Sequence, residues 1–124
     1  MDEMNCPFCD MKRDRLAEND LCFAIYDAFP VSTGHALVIP KKHVQKYFDL
    51  SFAEQTACWE MLNAIQHEIQ QRHHPDGFNV GINVGEVAGQ TVNHVHIHLI
   101  PRYVGDVENP RGGVRGVIPL KKEY

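Results

Sequence analysis

Residues 94–100 read His94-Val95-His96-Ile97-His98-Leu99-Ile100, and this alternation decides how the chain folds. Along an extended strand, side chains at i, i+2 and i+4 share one face. Three imidazoles therefore line one side, and Val95, Ile97 and Leu99 point to the other. The aliphatic side can anchor a strand in a core. The imidazole side becomes a row of groups that titrate, attack or bind metal near neutral pH. A strand built only for packing has little use for three adjacent imidazoles, so the run marks a site.

Working outward, the other elements follow from local signals. Leu21 to Asp27 reads as a strand ended by Phe29-Pro30, and Gly34 opens a second, His35 to Ile39, stopped by Pro40. Their spacing suits an antiparallel pair. Ser51-Phe52-Ala53-Glu54 fits a capping box. Behind it Cys58, Met61, Leu62, Ile65 and Ile69 keep helical spacing, so a helix is expected to about His73, ending before Pro75-Asp76-Gly77. Phe78 to Val84 reads as a third strand, residues 85–90 as a turn, and Val92 to Pro101 as the histidine strand. The tail after Gly105 lacks periodicity and is expected to be extended or loop-like, with a short edge strand near Val117-Ile118 as its one candidate element. The sum is an α+β domain: an antiparallel sheet with one main helix packed on a face. The aliphatic side of the histidine strand should meet that helix, leaving the imidazoles on the opposite face. His67, His73 and His74 fall on or after the polar side of the helix and are expected to be solvated.

At 124 residues the chain has the size of one domain, read as an N-terminal segment 1–20, a core 21–104 and a tail 105–124. The formal net charge of −4 argues against a nucleic-acid binder that relies on a basic surface. No segment is long and apolar enough to span a bilayer. The start, Met1-Asp2-Glu3-Met4-Asn5, is acidic and lacks the basic-then-apolar order of a signal peptide, so a cytoplasmic protein is expected. There the four cysteines are not expected to form disulfides. Cys22 and Cys58 read as buried small hydrophobes. Cys6-Pro7-Phe8-Cys9 supplies half of a tetrahedral zinc site, and could otherwise be a pair of free thiols or a redox pair.

The chemistry open to the histidine run is phosphorus chemistry. A neutral imidazole nitrogen attacks phosphorus and makes a labile phosphoramidate, provided its other nitrogen's proton is held by an acceptor. Flanking histidines can orient it, bind phosphate oxygens or pass a proton. The preceding turn, with Gly85, Gly89, Gln90 and Thr91, adds donors and close backbone approach.

Three blocks resemble one family. Gly89 to Arg102, with the run above at its centre, is similar to the signature of the histidine triad (HIT) superfamily. Gly34-His35-Ala36-Leu37-Val38-Ile39-Pro40-Lys41-Lys42-His43 and Phe78-Asn79-Val80-Gly81-Ile82-Asn83-Val84-Gly85-Glu86 match as well, so the resemblance runs from about Cys6 to Arg102. It implies hydrolysis or transfer at the α-phosphate of adenosine (di)nucleotides or nucleoside phosphoramidates, through a covalent nucleotidyl-histidine. It places His96 as nucleophile, His98 as the partner contacting the phosphate, and His35 as the supporting histidine. Asn83, Gln90 and Thr91 fall at polar positions around the phosphate. Asp27 falls where a carboxylate holds the ribose hydroxyls, with Phe8, Ile25 and Ala28 lining the base pocket. The resemblance adds His43 and His94 to Cys6 and Cys9 as ligands of one structural zinc. It implies a homodimer acting on a purine nucleotide, with no organic cofactor, nucleic acid or membrane involved. Thr91 stands where the histidine-triad nucleotide-binding branch has serine, and Asn83 where the fragile-histidine-triad branch has glutamine. The stretch 105–113 resembles bacterial members. Water, phosphate or a sugar phosphate can each serve as acceptor. Two other readings stand beside this one: a zinc-water hydrolase with the triad as ligands, and a nucleotide-binding sensor with little turnover.

Overall fold

The structure is a computed structural model that describes residues 5–9 and 14–124; the reading of Met1 to Met4 as part of an acidic start without a leader pattern lies outside the described residues. Five strands, β1 (Ala17–Glu18), β2 (Cys22–Tyr26), β3 (Ala36–Pro40), β4 (Gly77–Ile82) and β5 (Ile97–Arg102), form one sheet with the order β1-β2-β3-β5-β4. Every neighbouring pair is antiparallel. One helix, α1 (Phe52–His73), lies between β3 and β4 in the chain.

The helix starts where the capping box puts it. The Ser51 hydroxyl accepts from the Glu54 amide at 3.1 Å, and the Glu54 carboxylate accepts from the Ser51 amide at 2.9 Å. Two of the donors that a helix start leaves unpaired are thereby satisfied. The stripe Cys58, Met61, Leu62, Ile65 and Ile69 buries against Cys22, Ala24, Ala36, Val38, Ile97 and Leu99. Each large aliphatic side chain removed from water here stabilises the fold by roughly 1.5–3 kcal/mol. The helix closes at His74, which takes a left-handed conformation (φ 55°) just before Pro75.

The other face of the sheet carries a smaller cluster, Phe23, Ile25, Leu37 and Ile39, with Phe8 from the N-terminal segment packed on it. Leu37 pairs with His98 across β3 and β5, and His98 with Gly81 across β5 and β4. Directly paired residues share a face, so His98 stands on the side away from the helix, as the alternation requires. Both Cys22 and Cys58 are fully buried free thiols under the helix. Their mutual contact and burial push the Cys58 thiol well above its usual range.

Several expectations need correction. The histidine strand does not run from Val92 to Pro101. Strand pairing begins only at Ile97, because the preceding segment bonds elsewhere: the Val95 amide donates to the Val44 carbonyl at 2.9 Å. Only His98 of the three histidines lies in β5. The strand expected from Leu21 to Asp27 is shorter by a residue at each end, and the one expected from His35 to Ile39 is shifted by one residue, leaving His35 in the turn and taking in Pro40. β1 is not anticipated; it pairs with β2 through a turn in which the Asn19 side chain accepts from the Leu21 and Cys22 amides at 2.9 and 2.8 Å. No edge strand forms at Val117-Ile118. The tail instead winds into 3-10 turns at Gly113–Val117 and Pro119–Lys121, held by Arg115 donating to the Lys121 and Lys122 carbonyls at 2.8 and 3.0 Å. His73 is half-buried rather than fully solvated. It packs edge-on to Tyr26 and bonds its hydroxyl at 3.1 Å. Among the described residues, no helix is long and apolar enough to cross a membrane.

Candidate functional site

The histidines make a relay whose protons can be assigned from fixed donors and acceptors. The Val31 amide can only donate, and it points at His35 Nδ1, 3.1 Å away. Burial lowers the pKa of His35, against the opposing pull of Asp27, and the ring is neutral at neutral pH. Its proton therefore sits on Nε2, 3.0 Å from His98 Nδ1. His98 is neutral too, its pKa lowered to about 4 by burial first and by the neighbouring His96 and His35 next. With Nδ1 accepting, the His98 proton is on Nε2. His96 is set the opposite way. Its Nδ1 lies 2.9 Å from the His94 carbonyl, which can only accept, so Nδ1 carries the proton and Nε2 keeps a lone pair. One ring thus offers a nucleophilic nitrogen, and its neighbour, with ring centres 5.2 Å apart, offers a donor.

These rings line a cavity of about 630 Å³. Its polar side is His35, His96 and His98 with Asp27, Asn83 and Thr91; its apolar side is Pro7, Phe8, Ala28, Phe29, Val31, Leu37 and Val92. A mostly apolar wall with a few convergent polar groups is the usual make-up of a small-molecule site. Asp27 sits at the end of β2. Its Oδ1 accepts from the Phe29 amide at 2.9 Å, and its Oδ2 lies 3.5 Å from His35 Nε2. Gly34 makes the turn into β3 with φ 91°, and a side chain there would press on His73 and Pro101 at 3.0 and 3.3 Å. Gly89 reaches the cavity wall with φ 95°.

Two expected site residues stand back from the cavity. Ile25 is fully buried beside Leu37, its cross-strand partner, and backs the wall rather than forming it. The Gln90 side chain is used within the loop, accepting from Gly85 and donating to the Gln45 and Val92 carbonyls at 2.7 and 3.0 Å. Pro7, Phe29, Val31, Leu37 and Val92 line the cavity without having been singled out. Leu37 alone had a readable signal, since it is two residues from His35 on the same strand face. The others depend on how turns fold back.

A second cluster lies beside the first. Cys6, Cys9, His43 and His94 place their ligand atoms within 4.8 Å of one another. His94 Nε2 is 2.7 Å from the Pro40 carbonyl and so holds the proton there, leaving Nδ1 bare. That Nδ1 faces Cys6 Sγ at 3.3 Å, Cys9 Sγ at 3.5 Å and His43 Nδ1 at 3.2 Å, and Cys9 Sγ is 3.1 Å from His43 Nδ1. Zn–N bonds of about 2.0 Å and Zn–S bonds of about 2.3 Å around a tetrahedron give edges of roughly 3.3–3.7 Å. The four separations above, 3.1–3.5 Å, lie close to those edges, and two thiols with two imidazoles are the donor chemistry of zinc. They supply a closed set, which is the structural type of zinc site. Asp27, His35 and His98 also place their ligand atoms within 4.8 Å of one another; without a metal the His98 Nδ1 lone pair accepts the His35 Nε2–H at 3.0 Å.

The HIT domain family profile matches residues 10–105. The chain is 42% identical over 90 residues to the bis(5'-adenosyl)-triphosphatase of Dictyostelium discoideum, covering 73% of this chain and 60% of that protein. It is 39% identical over 104 residues to the adenosine 5'-monophosphoramidase hnt1 of Schizosaccharomyces pombe, covering 80% and 75%. A Zn-bound histidine triad family protein from Mycobacterium smegmatis superposes with a TM-score of 0.78 at 33% identity, over 87% of this chain and 82% of that one. The fold, the relay and these likenesses together place the chain in the HIT family.

Proposed function

We propose that this protein hydrolyses or transfers nucleotides at the α-phosphate through a covalent intermediate on His96. The observation that carries the reading is the 2.9 Å contact of His96 Nδ1 with the His94 carbonyl in a ring that lines the cavity; a carbonyl only accepts, so Nδ1–H faces it and Nε2 is left to attack. In the first step His96 Nε2 attacks the phosphorus. A P–N bond forms as the bond to the leaving group breaks, and the leaving group takes that electron pair and a proton from solvent, which the attacking water returns in the second step. In the second step water, or another acceptor, attacks the same phosphorus, and the P–N electron pair returns to His96. The Nε2–H of His98, its orientation fixed through His35, donates to a phosphate oxygen, with Asn83, Thr91 and the Gly89 backbone beside it. Asp27 takes the ribose hydroxyls, and Phe8 with Ala28 holds the base. Zinc on Cys6, Cys9, His43 and His94 would be structural, neutralising the thiolates and pinning the N-terminal segment. The protein acts as a single domain over 1–124 and as a homodimer; among the described residues no strand covers the outer side of β4.

The test is a single-turnover quench with substrate labelled at the α-phosphorus, a diadenosine polyphosphate or an adenosine phosphoramidate. Wild type should carry alkali-stable, acid-labile label on His96. His96→Ala should lose turnover by roughly 10³-fold or more while still binding adenosine monophosphate. Near-normal turnover in that variant, or label on another residue, removes the mechanism. Binding without turnover in wild type would favour a sensor. Running the reaction with and without inorganic phosphate identifies the acceptor. In Asp27→Ala, affinity for the ribonucleotide should fall to that for the deoxyribonucleotide; equal losses for both would show that Asp27 does not read the ribose.

A further inference from the structure

The four-donor cage and the cavity share their walls. Cys6 and Cys9 are ligand candidates, and the two residues between them, Pro7 and Phe8, line the cavity. Phe8 packs edge-on against both His94 and His96, with ring centres 5.8 and 5.3 Å apart. His94 gives its ring to the cage and its carbonyl to the His96 Nδ1 proton. The Pro7-Phe8 wall is thus common to the cage and the cavity.

We infer that the metal cage and the nucleotide cavity are thermodynamically coupled: metal on Cys6, Cys9, His43 and His94 tightens nucleotide binding by fixing Phe8, and nucleotide tightens the metal by the same factor. The inference rests on the proposed nucleotide site. Its physical basis is that a ligand cage closed by the 6–9 segment immobilises that segment, so a nucleotide packing on Phe8 no longer bears the cost of ordering it. Linkage requires the two effects to be equal. A zinc that only anchors the chain would show neither.

The experiment uses the full chain. The affinity for adenosine monophosphate is measured calorimetrically on zinc-loaded and metal-stripped protein, and the zinc affinity by chelator competition without and with saturating monophosphate. Both ratios should agree and fall at about 5- to 50-fold, within the usual range of coupling between sites. In Phe8→Ala, which leaves all four donors in place, the ratio should drop to within about threefold of unity. Coupling that merely reflected unfolding of the stripped chain would survive Phe8→Ala, and that result overturns the inference. Equal monophosphate affinity for the loaded and stripped forms also overturns the inference. Failure of monophosphate to bind either form would instead defeat the nucleotide reading on which it rests.

Discussion

His98 ties the site to acid stability. Its folded pKa of about 4 lies below the usual histidine value near 6.5. Between those values the unfolded chain binds a proton that the folded chain does not. The stability it contributes is therefore complete above about pH 6.5 and is lost as pH falls toward 4. His35 shifts in the same direction, for the same principal cause, burial. His98 alone should cost the fold roughly 2–3 kcal/mol across that window. Urea unfolding at pH 7.5 and pH 4.5 checks this, with His98→Gln as reference. The wild type should lose more stability than the variant, and equal losses would show that the ring is not held neutral by the fold. At this scale the sequence is informative about side chains and silent about the backbone groups that set their protons. Alternation puts His96 and His98 on one face from local chain geometry alone. The Val31 amide, the His94 carbonyl and the Pro40 carbonyl, which decide every tautomer here, are placed by turns and strand pairing that no short window of residues encodes.

The helix α1 was legible nearly to the residue because its signals are local and redundant: a serine and a glutamate three apart, an apolar stripe, and a proline beyond the end. Ser51→Ala removes the side chain that accepts from Glu54 and should cost about 1 kcal/mol, a fall in Tm of roughly 3–6 °C for a domain of this size. A change below about 1 °C in thermal unfolding would mean the box is redundant with the packing beneath it. The strands were less sharp. β5 reads as longer than it is because His94 and His96 keep the alternating pattern while the His94 ring joins the cage and the Val95 amide donates to the Val44 carbonyl. β1 is too short to show a period at all. The tail defeats periodicity for another reason. Its turns close on themselves, with Lys122 donating to the Asn109 carbonyl at 2.8 Å and Arg111 and Arg115 stacked on Tyr124. His73 escapes its surface reading because Tyr26, far away in sequence, covers it.

For the whole molecule, the outcome is one sheet with a buried face under α1 and a second face that carries all the chemistry. The tail borders that second face beyond Ile100 and Arg102. There Arg102 grips Asp106 with two bonds of 2.7 and 2.8 Å and reaches Asn79 at 2.6 Å, locking the exit from β5. The sheet order has a consequence in time. β5 comes last among the strands along the chain yet lies between β3 and β4. It brings partners together across 88 residues at Cys6 and His94 and across 63 at His35 and His98. Contacts that close such long loops form late, because the entropy of closure is met before the contact rewards it. A refolding chain can hold the β2–β3 hairpin and α1 while owning neither metal cage nor nucleophile; both arrive with the same strand. Stopped-flow refolding should show Trp59, beside Tyr47 near the start of α1, reaching its native fluorescence no later than zinc uptake and nucleotide binding, and those two rising together. Zinc captured in an earlier phase would separate the cage from the strand. Half-made molecules of this protein are thus silent rather than faulty: they have no partial active site with which to cut the wrong bond.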